Sequence, residues 1–127
     1  MFTMDQLIMH LLGDYILQTD HMARNKVKKT WVAFFHAFVY TLPFLFVCDS
    51  PLALFVIFFT HGLIDRFRLA RYVAMAKNMV GDPANYKQYY TPTGFLKEGP
   101  AWNAGWLLVV IDNIMHIVIN GLAIHYL

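Results

Sequence analysis

The sequence predicts an all-α protein: a polytopic bundle of four transmembrane helices, with a cytosolic or interfacial extension of the third. Three observations lead there. Of the 127 residues, 58% are hydrophobic and 14% are charged, against about 25% charged in an average soluble domain. Apolar residues gather in four segments, roughly 4–18, 31–47, 51–64 and from 102 or 106 to 127. All ten Lys and Arg fall in two short stretches, Arg24 to Lys29 and Arg66 to Lys97. One integral membrane domain over residues 1–127 is the natural organisation.

Taken in order, the first and third segments are short for a span of about 20 residues. Residues 19–23 and 65–77 read as continuing helix and would lengthen them. Between the second and third segments, Asp49-Ser50-Pro51 carries no cation. By the positive-inside rule the two basic loops then face the cytoplasm, and that connection and both termini face outward, at the inner (cytoplasmic) membrane. Residues 66–80 read as a helical extension able to rest on anionic lipid headgroups. Gly81-Asp82-Pro83 ends it, and 84–99, with Pro92 and Gly94, reads as a loop. Pro100 is placed to start the last helix, with Trp102 and Trp106 at headgroup level.

Composition also excludes. The pI near 8.7 invites a nucleic-acid partner, but the cations are sorted between loops, so none is expected. Cys48 is the only cysteine, which rules out an internal disulfide and a thiolate metal cluster within one chain. Nothing basic precedes the first apolar run and no small-residue cleavage site follows it, so a secretory signal peptide is not expected. The expected partners are membrane lipids and further copies of the chain, because short helices relieve mismatch by associating.

The candidate site lies inside the apolar segments. His10/Asp14, His61/Asp65 and Asp112/His116 are each spaced four apart, with His36 on the second segment. Four residues is about one helical turn, so each pair shares a face. An ionisable side chain within the bilayer costs about 2.5–3.5 kcal/mol on insertion scales and marks function by default. His10, His36, His61, His116, Asp14, Asp65 and Asp112 offer imidazole nitrogen and carboxylate oxygen, which suit one or two divalent ions: zinc, manganese or iron. Three carboxylates and a bridging hydroxide would neutralise two such ions and avoid burying net charge. The competing reading of any one pair is a His–Asp hydrogen bond that locks two helices. Three pairs and His36 at a shared depth favour metal, although the last pair matches that depth only if its span begins near Trp106. Asn113 and Asn120 read as helix-holding amides.

The run His10-Leu-Leu-Gly-Asp14-Tyr-Ile-Leu-Gln18-Thr-Asp20, followed by Lys26, His36, His61-Gly-Leu-Ile-Asp65 and Asp112-x3-His116, resembles the family known as domain of unknown function DUF3307. Its members are small multi-pass membrane proteins of bacteria and tailed phages. The resemblance spans nearly the whole chain. It implies topology and site positions and supplies no reaction. The family often places Gln after the last aspartate, where this chain has the shorter Asn113. The pattern is also similar to that of membrane-bound metal-dependent hydrolases, as an analogy of fold.

Three functions are compatible with these residues. The first is a metal-dependent hydrolase of a lipid or other phosphate ester. In it Arg66 or Arg68 would hold the phosphate and Asp20 would act as general acid or base; Cys48 and Ser50 lie on the outer side with no neighbouring base. The second is a non-enzymatic, oligomeric membrane-assembly or host-envelope-modifying protein of phage type. The third, a metal-ion transporter, requires polar residues that continue to the outer face.

Overall fold

The computed structural model describes residues 2–127 and is all-helical. The first helix, α1 (Met4–Leu11), is capped by the Thr3 hydroxyl, which accepts from the Gln6 N–H, and carries Asp5 in its first turn. It runs into a π-helical turn at Leu12–Ile16, which Leu17 closes by donating to Leu12 O at 2.9 Å. The helical path then stops. Residues 19–23 do not continue it: Thr19 caps a separate α2 (Asp20–Asn25). Next come α3 (Thr30–Thr41), which tightens into a 3-10 turn at Leu42–Phe46 around Pro43, and α4 (Pro51–Phe67). Ser50 caps α4 through its hydroxyl, which accepts from Ala53 N–H, and Pro51 stands at its first position.

The expected extension of the third apolar helix is present as a separate helix. The backbone turns left-handed at Arg68 (φ 49°), a conformation that costs a non-glycine residue about 1–2 kcal/mol, and α5 (Leu69–Gly81) follows. A 3-10 stretch at Pro83–Tyr89 occupies the start of the expected loop. The last helix, α6 (Ala101–Tyr126), follows Pro100 directly.

Two compact units result: the chain up to Phe67 with His116–Leu127, and Arg68–Met115. In the first, α3 packs along α4. Its apolar core is Tyr40, Phe44, Cys48, Ala53, Ile57 and Ala123. Phe44, which its composition alone would send to lipid with the other phenylalanines, is fully buried there. Beside that core the unit also buries polar residues and exposes large apolar ones. Gln6, His10, Asp14, His36, His61, Asp65, His116 and Asn120 are buried, whereas Phe35, Phe38, Phe46, Phe55 and Phe59 are exposed.

In the second unit, α5 buries Ala70, Ala74 and Met75. Gly94 (φ 75°) passes so close to α5 that a Cβ would meet Arg71 O at 2.6 Å, and Asn78 Nδ2 donates to Gly94 O at 2.8 Å. Trp102 and Trp106 are exposed. Among the described residues, α6 is the helix long and apolar enough to cross a membrane, over Trp102–Tyr126, and Thr30–Phe46 is a shorter apolar helix. Length therefore supports one of the four expected spans: the breaks at 17–19 and Arg68 cut the first and third short, and the second ends at Phe46.

Gly13 sets how closely the π-turn approaches α3. A Cβ there would lie 2.5 Å from Tyr40 Cδ2 and 3.0 Å from Tyr40 O, and neither a buried ring nor a helix carbonyl can yield. Gly13→Ala is expected to destabilise the fold by about 1–3 kcal/mol, the usual overpacking cost. Thermal unfolding in detergent would show it, and an unchanged midpoint would remove Gly13 from this role.

Candidate metal centre

Four buried side chains converge from three elements: Asp14 from the π-turn, His36 from α3, and His61 and Asp65 from successive turns of α4. His36 Nε2 lies 3.1 Å from Asp14 Oδ1, 3.0 Å from His61 Nε2 and 3.3 Å from Asp65 Oδ2. His61 Nε2 lies 3.5 Å from Asp14 Oδ1 and 3.1 Å from Asp65 Oδ2. Each residue offers one ligand atom, and all four atoms lie within 4.8 Å of one another. Five of the six distances among these atoms are 3.0–3.5 Å, and a regular tetrahedron with edges of roughly 3.3 Å has its centre about 2.0 Å from each corner, the length of a zinc bond to imidazole or carboxylate. This buried His/Asp group could hold a metal ion.

Hydrogen bonding serves the same atoms in one arrangement, with His36 Nε2 donating to Asp14, Lys26 Nζ to Asp65 and His61 Nε2 without a proton, and less well in the others. A neutral imidazole has one N–H. If both Nε2 atoms carry it, to satisfy the two carboxylates, two N–H groups crowd each other across 3.0 Å. If one donates to the other, a carboxylate loses its donor. A central cation is served by all four as acceptors. The Nδ1 atoms of His36 and His61 have no hydrogen-bond partner among the described residues, so the chain holds both rings by packing. The His61 ring stacks on Tyr40 (centroids 3.7 Å apart) and on His116 (4.1 Å).

A further polar layer surrounds the four. His10 Nδ1 is 2.8 Å from the Tyr40 hydroxyl and 3.7 Å from Asp14 Oδ2. Asn120 Nδ2 donates to the same hydroxyl at 2.6 Å, and Gln6 Nε2 donates to Ile117 O at 2.8 Å. Asn120 thus ties α6 to α3, the role its sequence position suggested. His116 Nε2 lies 3.8 Å from Asp65 Oδ1. Lys26, at the end of α2, places Nζ 2.8 Å from Asp65 Oδ2, with its side chain 16% exposed.

Of the residues singled out in sequence, His10, Asp14, His36, His61, Asp65 and His116 come together. Asp112 is half-buried on α6, one turn before His116, in the second unit. The three residues expected to act on substrate lie elsewhere. Asp20 is exposed and accepts from Arg24 Nε at 2.9 Å, because the break at 17–19 takes it off the helical line of His10 and Asp14. Arg66 donates from Nε to Thr30 Oγ1 at 3.0 Å and from Nη1 to Val27 O at 2.7 Å. Arg68 sits at the left-handed turn that opens the second unit.

Sequence reasoning passed over Lys26 and Tyr40 as site residues. Lys26 reads as one more topology-setting cation beside Lys28 and Lys29, and its place in the family motif was the one signal available. Tyr40 reads as a neighbour one turn from His36, with nothing local to reveal its ties to α1 and α6.

No curated protein and no solved structure matches the chain. A family model does, over residues 2–126 and so essentially the whole chain, and the protein belongs to that family, the proteins of unknown function DUF3307.

Proposed function

We propose that the chain is a multi-pass inner-membrane protein, one integral domain over 1–127, whose His/Asp cluster holds a divalent metal and hydrolyses a lipid or other phosphate ester. The observation that carries this reading is the convergence of Asp14, His36, His61 and Asp65, with five of the six distances among their ligand atoms at 3.0–3.5 Å. Membrane residence is supported by buried polar groups beneath an exposed layer of large apolar side chains, the reverse of a soluble domain's usual arrangement. It is supported too by cations confined to two stretches. Four crossings place both basic loops in the cytoplasm and both termini outside. Short α1 and α4 favour association of several copies.

Asp14, His36, His61 and Asp65 are the proposed ligands, with His10 and His116 beside them available to a second ion. Asp112 stays in the proposed ligand set on sequence grounds. When bound, zinc, manganese or iron would supply a Lewis acid and an activated water. The chain's own part is to hold the ligand atoms in place and keep bulk water out. Tyr40 does the first through His10 and the His61 ring, and the surrounding apolar side chains do the second.

Elemental analysis of detergent-purified protein tests this. Wild type is expected to carry about one to two equivalents of metal, and His61→Ala and Asp14→Ala are expected to lose most of it. A well-folded, metal-free wild type would overturn the hydrolase reading. The cluster would then be a set of interhelical hydrogen bonds, as an assembly protein requires.

A further inference from the structure

We infer that the second unit carries a phospholipid site of its own: Lys87 and Lys97 hold an anionic headgroup phosphate, and the apolar part of the lipid lies along the start of α6. This rests on the membrane reading above and is independent of the metal. Three observations carry it. The turn at 91–95 is held by side-chain hydrogen bonds. Thr91 Oγ1 donates to Phe95 O at 2.7 Å, Asn78 Nδ2 to Gly94 O at 2.8 Å, and the Tyr89 hydroxyl to Asp82 Oδ2 at 3.1 Å. Lys87 and Lys97, from either side of that turn, line one cavity of about 310 Å³ together with Tyr90, Thr91, Leu96 and Glu98.

The second observation is charge. Both lysines are exposed, and among the described residues neither has an ion-pair partner. Two ammonium groups and the Glu98 carboxylate leave the cavity with one net positive charge. That balance suits a singly charged phosphodiester, whose oxygens accept charge-assisted hydrogen bonds from both ammonium groups. A dianionic phosphate monoester would meet the Glu98 carboxylate with a charge to spare.

The third observation is where the cavity leads. Leu96 and Glu98 also line an adjoining cavity of about 270 Å³, whose other walls include Phe95, Pro100, Ala104 and Leu107. Leu107, Val110 and Ile114 follow helical spacing on α6 and are exposed. They belong to the helix long and apolar enough to cross a membrane, with Trp102 and Trp106 exposed at its start. A path therefore runs from the two ammonium groups, over Leu96, to an apolar helix face. Headgroup and acyl chain follow that order where a phospholipid enters the bilayer beside interfacial tryptophans. A soluble phosphate would use only the first part of it.

Native mass spectrometry of the full chain released from detergent makes the test, with phosphatidylglycerol as the probe. Wild type is expected to retain one tightly bound lipid. Lys87→Gln/Lys97→Gln should weaken it roughly ten- to thirtyfold, the loss expected for two lysines facing an anionic lipid. Lys28→Gln/Lys29→Gln, which removes two exposed cations of the first unit, should stay within a few fold of wild type. Ala104→Phe, which fills the adjoining cavity, should also weaken the lipid.

Unchanged affinity in the Lys87/Lys97 variant overturns the proposal. An equal loss in the Lys28/Lys29 variant also overturns it, because general charge attraction would then account for the binding. Glycerophosphoglycerol, the same headgroup without acyl chains, should bind far more weakly; if it binds as tightly, or if Ala104→Phe changes nothing, a lipid is not the occupant. A chain stripped from membranes by alkaline carbonate defeats the membrane reading itself. One that stays in membranes yet shows no selective loss at Lys87 and Lys97 defeats this proposal alone.

Discussion

Asp65→Ala is expected to destabilise the metal-free protein by about 3–5 kcal/mol, because it removes one partner of a buried ion pair in a site mostly closed to water. Asp65 is 4% exposed and faces Lys26, His36, His61 and His116. A second exchange isolates the pair. In Asp65→Ala/Lys26→Met both partners are gone, and about half or more of the stability should return, giving a strongly non-additive cycle. Denaturant unfolding in detergent with chelator present measures all four corners. Additive single and double variants would mean that the 2.8 Å contact carries no energetic weight. The same cycle with metal present should show smaller differences for Lys26→Met, since the ion takes over part of the ammonium's role.

Tyr40→Ala is expected to cost about 3–5 kcal/mol, in the range for emptying a large buried aromatic site. Its side chain is fully buried, its ring lies against His61 and Phe44, and its hydroxyl links His10 on α1 to Asn120 on α6. Tyr40→Phe isolates the hydroxyl. Shape and stacking survive and two polar partners lose their bond, so about 1–2 kcal/mol should go. The Phe variant should retain metal while the Ala variant loses affinity, because only the latter frees the His61 ring to turn. Equal costs for the two variants would place the whole effect in the hydroxyl. A tolerated alanine would mean that this part of the core is loosely packed.

The helical class and most of the cluster were readable in the chain itself. A histidine or aspartate in an apolar helix has few reasons to be there, and spacing of four residues puts two of them on one face whatever surrounds the helix. Those inferences are local, and they brought out His10, Asp14, His61, Asp65 and His116 before any contact was known. Where the helices stop was harder to read. Thr19 can lie within a helix or cap a new one, and the tertiary structure uses it as a cap, which separates Asp20 from the line it seemed to extend. Arg68 has no glycine-like signal, yet it takes the left-handed turn that divides α4 from α5.

By itself, then, the sequence determined an all-helical, apolar chain with His/Asp pairs one turn apart and cations confined to two stretches. These are periodic or compositional properties that no fold can rearrange. The tertiary structure decided which atoms meet. Gly13 allows the π-turn to close on Tyr40, and that approach joins Asp14 to His36 across 22 positions, while Lys26 meets Asp65 across a still longer stretch of chain. Contacts of that range depend on how the helices pack and on which side chain fills each gap, so the Lys26 ammonium, unlike the helical pairs, could be located only once the chain was folded.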